Sequence, residues 1–213
     1  MNTLYRDFLD GVDNLSNFRI LLALALEATR GSAHPILELG PSDLSTPHLH
    51  AYCESEGRAI ISVEEDLMRA LPFRRFSSDR HELRVAAWSA FPIEAGLWSV
   101  ALLKHAPGER RRFDALRLAD RCEILVLHDT EPAADYGYKW SEIWGEFRSR
   151  VDVKSDGAWA TAVSKTRDLS GWRGLRFGKY AVTLPGDDLS DEDPTVRGLE
   201  RALNEARGWA EEK

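Results

Sequence analysis

Apolar residues in this chain fall into two alternating patterns. Short continuous runs occur at Ile36-Leu37-Glu38-Leu39, Ala59-Ile60-Ile61-Ser62-Val63, Leu83-Arg84-Val85-Ala86-Ala87-Trp88, Trp98-Ser99-Val100-Ala101-Leu102-Leu103 and Glu123-Ile124-Leu125-Val126-Leu127-His128. Runs of this length read as strands buried on both faces. Helical spacing fills the gaps. Ser16 to Arg30 places Phe18, Leu21, Leu22 and Ala25 on one face and ends at Gly31. Pro47 to Glu56 reads as a second helix stopped by Gly57, a favourable C-terminal glycine. A short helix with Leu67, Met68 and Leu71 follows, and Glu109 to Asp120 forms another with Phe113, Leu116 and Leu118. Strands alternating with helices imply a parallel sheet covered on both faces.

The pattern changes after His128. Tyr138 to Arg148 reads as a helix. Val151–Lys154 and Ala158–Val163 flank Ser155-Asp156-Gly157, and Asp-Gly between extended runs signals a hairpin. The sheet is therefore expected to end in an antiparallel pair. Residues 165–190 carry no clear periodicity. Asp193-Pro194 then reads as a helix cap and first turn, with Val196, Leu199, Leu203 and Trp209 on one face. The division is an N-terminal helical segment at 1–31, a core at 32–165 and a C-terminal extension at 166–213.

Composition narrows the partners. The 213 residues are 43% hydrophobic and 30% charged, with net charge −7. That balance argues against a nucleic-acid backbone or an anionic membrane as the main partner. Cys53 and Cys122 cannot build a disulfide framework and lack metal-ligand spacing, so no metal is expected. No apolar run approaches a membrane span, and the first residues lack the character of a signal peptide. A cytoplasmic protein with a small-molecule substrate is the expectation. The sequence leaves its oligomeric state open.

The most informative stretch is Pro35-Ile36-Leu37-Glu38-Leu39-Gly40, followed by Ser45-Thr46-Pro47. It reads as strand, glycine turn, loop and helix start, an order that puts a ligand over the carboxyl end of the strand. Gly40 can take backbone angles that a residue with a Cβ resists, and it lets a ligand come close to the main chain. Ser45 or Thr46 suits the cap, and Pro47 the first turn. Glu64, at the end of the next strand, stands where a carboxylate binds ribose hydroxyls. NAD and S-adenosylmethionine both carry such a ribose. A pyrophosphate needs several glycines at the loop. This loop, Gly40-Pro41-Ser42-Asp43-Leu44-Ser45, has one glycine and an acid. Glu38 and Asp43 suit the cationic S-adenosylmethionine better.

Pro35 to Thr46, Ser62-Val63-Glu64, Ala101 to Arg111 and Val126 to Thr130 together resemble the class I S-adenosylmethionine-dependent methyltransferases. The closest resemblance is to a bacterial group carrying Glu-Leu-Gly-x-Gly-x-x-Ser-Thr-Pro, Asp-His-Ala-Pro-Gly-Glu-Arg-Arg and His-Asp-Ser/Thr-Glu. It covers about residues 15–165, and His105 to Arg111 is its longest element. The resemblance implies a single doubly wound, mostly parallel α/β sheet of seven strands, Rossmann-like, ending in an antiparallel hairpin. It also implies that Glu38, Gly40, Ser42, Ser45, Thr46 and Glu64 line an S-adenosylmethionine site.

Two residues depart from that pattern. Ser42 replaces the second glycine, where a side chain crowds the ligand unless its backbone angles are ordinary. Lys104 replaces the acid before His105, reversing a charge near the expected methyl group.

Lys104-His105 and His128-Asp129 end neighbouring strands, where catalytic groups of open α/β sheets collect. His105 or His128 is a candidate base, and Asp129 a candidate orienter. Lys104 is a candidate base or carboxylate binder. Arg110 and Arg111 read either as a solvated helix face or as an anion clamp. Tyr136, Tyr138 and Trp140 are lid candidates. Trp88 is a candidate adenine platform, with core packing as its alternative. The expected activity is methyl transfer to a small molecule. The competing expectation is a catalytically degenerate fold that binds a nucleoside or a partner.

Overall fold

The computed structural model describes residues 8–13, 16–155 and 158–187. The elements, in chain order, are α1 (Phe18–Ala28), β1 (Ile36–Leu39), α2 (Thr46–Glu56), β2 (Ile60–Glu64), α3 (Leu67–Ala70), β3 (His81–Val85), β4 (Trp98–Leu103), α4 (Arg111–Leu118), β5 (Cys122–His128), α5 (Asp135–Tyr138), β6 (Ser149–Lys154), β7 (Trp159–Ser164), β8 (Arg176–Phe177) and β9 (Tyr180–Thr183). They build one mixed sheet in the order β3-β2-β1-β4-β5-β7-β6-β9-β8. Strands β1 to β5 are mutually parallel where they pair, and β7 runs antiparallel to both β5 and β6.

The apolar runs explain the centre of this sheet. Every residue of β1 and β4 is buried, because helices cover both faces. On one face α1 and α2 pack Phe18, Leu22, Leu49 and Cys53 against Ile36, Val100 and Val126. On the other, Trp88, Phe91, Ile93, Leu118 and Trp140 pack against Leu37, Leu103 and Leu125. From β1 the chain winds outward to β2 and β3, then returns to β4 beside β1. That reversal opens a crevice at the carboxyl ends of β1 and β4.

The sheet has nine strands where seven were expected. The extra pair, β8 and β9, turns at Gly178 (φ +61°) and extends the edge of β6. The expected helix over Tyr138–Arg148 is instead the last residue of α5, two single 3₁₀ turns and the irregular lead into β6. Lys139 breaks it with φ +57°, and the buried Trp140 stacks on Trp144 at 5.8 Å. Strand β3 stops at Val85, not Trp88. Leu67 and Met68 on α3, and Phe113 and Leu116 on α4, point outward rather than into the core. The Asp156-Gly157 turn and the helix expected from Asp193 lie outside the described residues.

Candidate functional site

The crevice is built on Gly40. Its φ is +87°, and a Cβ there would stand 2.7 Å from His105 Cα. The end of β1 therefore lies against the backbone leaving β4, which only a residue without a side chain permits. The loop that follows closes on itself. The Ser42 N–H donates to Thr46 Oγ1 (2.9 Å) and the Leu44 N–H to Ser42 Oγ (3.3 Å). The N–H groups of Ser45 and Thr46 donate to the Ser42 carbonyl at 3.2 and 2.9 Å. Ser42 is not among the residues with positive φ, so a side chain fits there without strain.

Glu38 lies beneath the loop, fully buried on β1. Ser45 Oγ donates to its Oε1, Thr46 Oγ1 lies 3.1 and 3.0 Å from its two oxygens, and Ser62 Oγ donates to Oε2 at 2.6 Å. Burial raises its pKa, while the Lys104 charge and these hydroxyls pull the other way. Glu38, Ser45 and Thr46 thus form one cluster that shapes the loop from inside.

Glu64 ends β2 with little exposure. Its Oε1 accepts the N–H groups of Glu65 (2.9 Å) and Asp66 (3.0 Å) and an Arg69 ion pair (3.2 Å). Its Oε2 has no hydrogen bond to a described residue. The carboxylate is pinned by one oxygen and offers the other.

Lys104 follows β4 and is half-buried. Burial pushes its pKa down to about 8, with Arg111 adding to the fall and Glu38, Glu64 and Asp129 opposing it. Its ammonium makes no ion pair or hydrogen bond within the described residues.

Next in sequence, His105 is sealed in the interior. Its Nε2 lies 3.0 Å from Asp114, its ring packs 4.5 Å from Trp88, and its Nδ1 has no partner. A ring this deep braces the backbone under Gly40 instead of meeting a substrate. Trp88 is 4% exposed, donates to the Ala106 carbonyl at 2.9 Å and belongs to the core. It presents no open face for an adenine.

His128 and Asp129 do come together. His128 Nδ1 lies 2.9 Å from Asp129 Oδ1, and the His128 ring meets Phe18 edge-on at 5.2 Å. Asp129 takes φ +58°, a left-handed conformation that aspartate tolerates. Burial raises the Asp129 pKa, but His128 and Arg111 more than offset this and hold it below the usual carboxylate range.

Neither expectation for Arg111 survives. It is 6% exposed, so it is no solvated face. Its donors reach the carbonyls of Lys104 (2.9 Å), His105 (2.7 Å) and His128 (3.1 Å) and the Asp129 carboxylate (2.8 Å). No donor pair is left to clamp an anion, and the residue ties the end of β4 to the end of β5. Arg110 is committed to Asp114 at 3.1 and 3.2 Å. Among the lid candidates, Tyr136 is exposed and Trp140 buried. Tyr138 lies where a Gly108 Cβ would be, 1.8 Å from its ring, and reaches Asp129 at 3.3 Å. Sequence reasoning missed His81 and His50, which continue the Glu38 network through Ser62 at 2.9 and 3.3 Å. The available signal was Ser62 itself, a hydroxyl inside an apolar strand that must find a partner. Among the described residues there is no cluster able to hold a metal.

The fold is similar to that of solved Rossmann-like methyltransferases and of a spermidine synthase. An O-methyltransferase from Bacillus cereus solved with SAH superposes with TM-score 0.54 and 13% identity, over 78% of this chain and 92% of that one. The human METTL16 catalytic domain, solved with the MAT2A 3′UTR hairpin 1, gives 0.54 and 12%, over 82% and 74%. A spermidine synthase bound to the transition-state analogue AdoDATO gives 0.54 and 14%, over 90% and 75%. At these identities the likeness carries the fold, and the fold hosts more than one chemistry. No protein-family model and no curated protein matches the chain by sequence.

Gly40→Ala tests the foundation of the site. The new Cβ meets His105 backbone, which cannot rotate away, in a conformation that itself costs about 1–3 kcal/mol for a non-glycine residue. Urea denaturation should show a loss of at least that size. A loss below about 0.5 kcal/mol would mean that the two strand ends are not in contact.

Proposed function

We propose that this chain binds S-adenosylmethionine at the carboxyl ends of β1 and β2 and methylates a small molecule. The observation that carries the reading is Glu64, a carboxylate fixed by Oε1 with Oε2 unused, beside a glycine turn closed to any side chain. Such an acceptor suits the hydroxyls of a ribose. The loop separates the two ribose-bearing cofactors. Its N–H groups at Ser42, Leu44, Ser45 and Thr46 are bonded internally, so they do not form an anion cradle for a pyrophosphate. Glu64 offers an unused carboxylate oxygen beside the loop and Glu38 lies buried beneath it, which suits a cationic ligand.

When bound, S-adenosylmethionine supplies a methyl group on a cationic sulfur. The protein's own groups would then hold the nucleophile and take its proton. Asp129 fixes the Nδ1–H tautomer of His128, which makes Nε2 the basic nitrogen of that ring. Lys104 is the second candidate base. Because its pKa lies near 8, a neighbouring cation drives it to the neutral amine at modest cost, about 1.4 kcal/mol per pKa unit. The lysine is thereby compatible with the cofactor and becomes a proton acceptor in its presence. The net charge of −7 supports a small molecule over a nucleic acid as substrate.

Isothermal titration with S-adenosylmethionine and S-adenosylhomocysteine tests the site. Glu64→Ala removes charge-assisted hydrogen bonds worth about 1.5–3 kcal/mol each and should weaken binding at least roughly tenfold. Wild-type protein that binds neither ligand at millimolar concentration would leave the fold without this function.

The charge on Lys104 gives a separate signature. S-adenosylmethionine carries the sulfonium and S-adenosylhomocysteine does not, so their affinity ratio isolates that charge. Protonated Lys104 opposes the sulfonium below its pKa of about 8 and ceases to do so above it. Raising the pH from about 7 to 9 should favour S-adenosylmethionine by up to roughly tenfold. Lys104→Ala should flatten this dependence. A ratio equally steep in wild type and variant would show that Lys104 points away from the ligand.

A further inference from the structure

Glu38 does not end the hydrogen-bond network in which it lies. Ser62 Oγ touches both Glu38 Oε2, at 2.6 Å, and His81 Nε2, at 2.9 Å. His81 Nδ1 faces His50 Nδ1 at 3.3 Å. His50 is half-buried on α2, and its Nε2 has no hydrogen bond to a described residue. The fully buried carboxylate is therefore joined to the surface by one hydroxyl and two imidazoles in series.

Each link contains one proton, so the chain has only two consistent directions. The Thr46 hydroxyl already accepts the Ser42 N–H, which leaves its proton for Glu38. When Glu38 is a carboxylate, Ser62 donates to it. His81 must then donate from Nε2 to Ser62, and His50 from Nδ1 to His81. When Glu38 is protonated and donates to Ser62, every link reverses. Ser62 then donates to His81 Nε2, and His81 donates from Nδ1 to His50. We propose that His81 and His50 are positioning residues whose tautomers are locked to the charge of Glu38, and that they carry its proton to and from solvent.

The transfer balances. Glu38 passes its proton to Ser62 Oγ, Ser62 passes its own to His81 Nε2, His81 passes the Nδ1 proton to His50 Nδ1, and His50 releases the Nε2 proton to water. One proton leaves the protein, and both histidines change tautomer while staying neutral. Burial and the facing His50 lower the His81 pKa to about 4, with Glu54 on α2 opposing, so His81 is neutral across the useful pH range. Lys104 is the charged group that faces Glu38 from β4. Phe76 packs on the His50 ring at 5.4 Å. Because Ser45 and Thr46 hang on Glu38, its charge decides how the loop hydroxyls point.

Histidine ¹⁵N spectra of the free protein test this at pH 8.5. Wild type should show His81 as the Nε2–H tautomer and His50 as Nδ1–H. Glu38→Gln should reverse both, since an amide nitrogen in the place of Oε2 donates to Ser62, while Thr46, within reach of both positions, turns its proton to the remaining carbonyl oxygen. In a Ser62→Ala background the same glutamine should leave both histidines unchanged. Lowering the pH of the wild type should move the two together toward the glutamine pattern. Tautomers identical in wild type and Glu38→Gln, or histidines that respond separately, would overturn the proposal. No ligand enters the experiment, so its outcome and that of the binding titrations are independent.

Discussion

A carboxylate with no access to water sits in the middle of the central parallel strand, and much of the crevice follows from satisfying it. Burying an isolated carboxylate costs several kcal/mol even after relaxation, and hydrogen bonds to both oxygens are what make it tolerable. Glu38 draws its partners from three places: the loop after β1, through Ser45 and Thr46; the neighbouring strand, through Ser62; and the end of β4, through the charge of Lys104. The loop is thus folded onto the sheet by a buried acid, not by a ligand. Its backbone N–H groups are consumed in the process, and a preformed loop with few free donors is selective against phosphates.

A second constraint acts on the other side of the crevice. Arg111 places four donor contacts on the chain leaving β4 and β5. Hydrogen bonds from a charged group contribute about 1.5–3 kcal/mol each, so the two strand ends are held as one unit. Gly40 completes the arrangement by letting β1 lie directly against His105. Lys104 and Asp129 therefore project from a rigid base, which is what positioning a nucleophile demands. The left-handed Asp129 is held in place by its own side-chain bonds to His128 and Arg111 and by Trp140, which donates to its carbonyl.

Periodicity made the sheet legible because β1 and β4 are buried on both faces and are apolar apart from Glu38 and Ser99. It failed where burial comes from particular contacts. The stretch after Tyr138 has helical spacing, yet Trp140 is held by its indole to the Asp129 carbonyl, and Lys139 turns the chain out of the helix. Strand β8 has two residues, too short for any alternation to show. Phe113 and Leu116 fit a core stripe in the sequence but stand outside it, because Ala115 and Leu118 already fill the contact with the sheet. The placement of Gly40 at the turn, Glu64 at the end of β2 and His128 beside Asp129 at the end of β5 was readable because it follows from local sequence. The roles of Arg111, His105 and His81 were not, since each depends on what the fold brings to it across the sheet. An arginine run looks solvated until one member finds four acceptors.

The charge reversal at Lys104 then takes on a different meaning. An arginine at the same place would remain a cation under any conditions. A lysine does not, and this one sits where burial and Arg111 disfavour its charge while three carboxylates favour it. Those opposing influences leave the group poised near neutrality, responsive to the next charge that arrives. A sulfonium would tip it to the neutral amine, and loss of that charge would return it to ammonium. The crevice thus needs no fixed acid at the end of β4 to remain compatible with a cationic ligand. Under the proposed methyl transfer, a group whose protonation follows the charge beside it would be better matched to removing a proton than a carboxylate that stays ionised throughout.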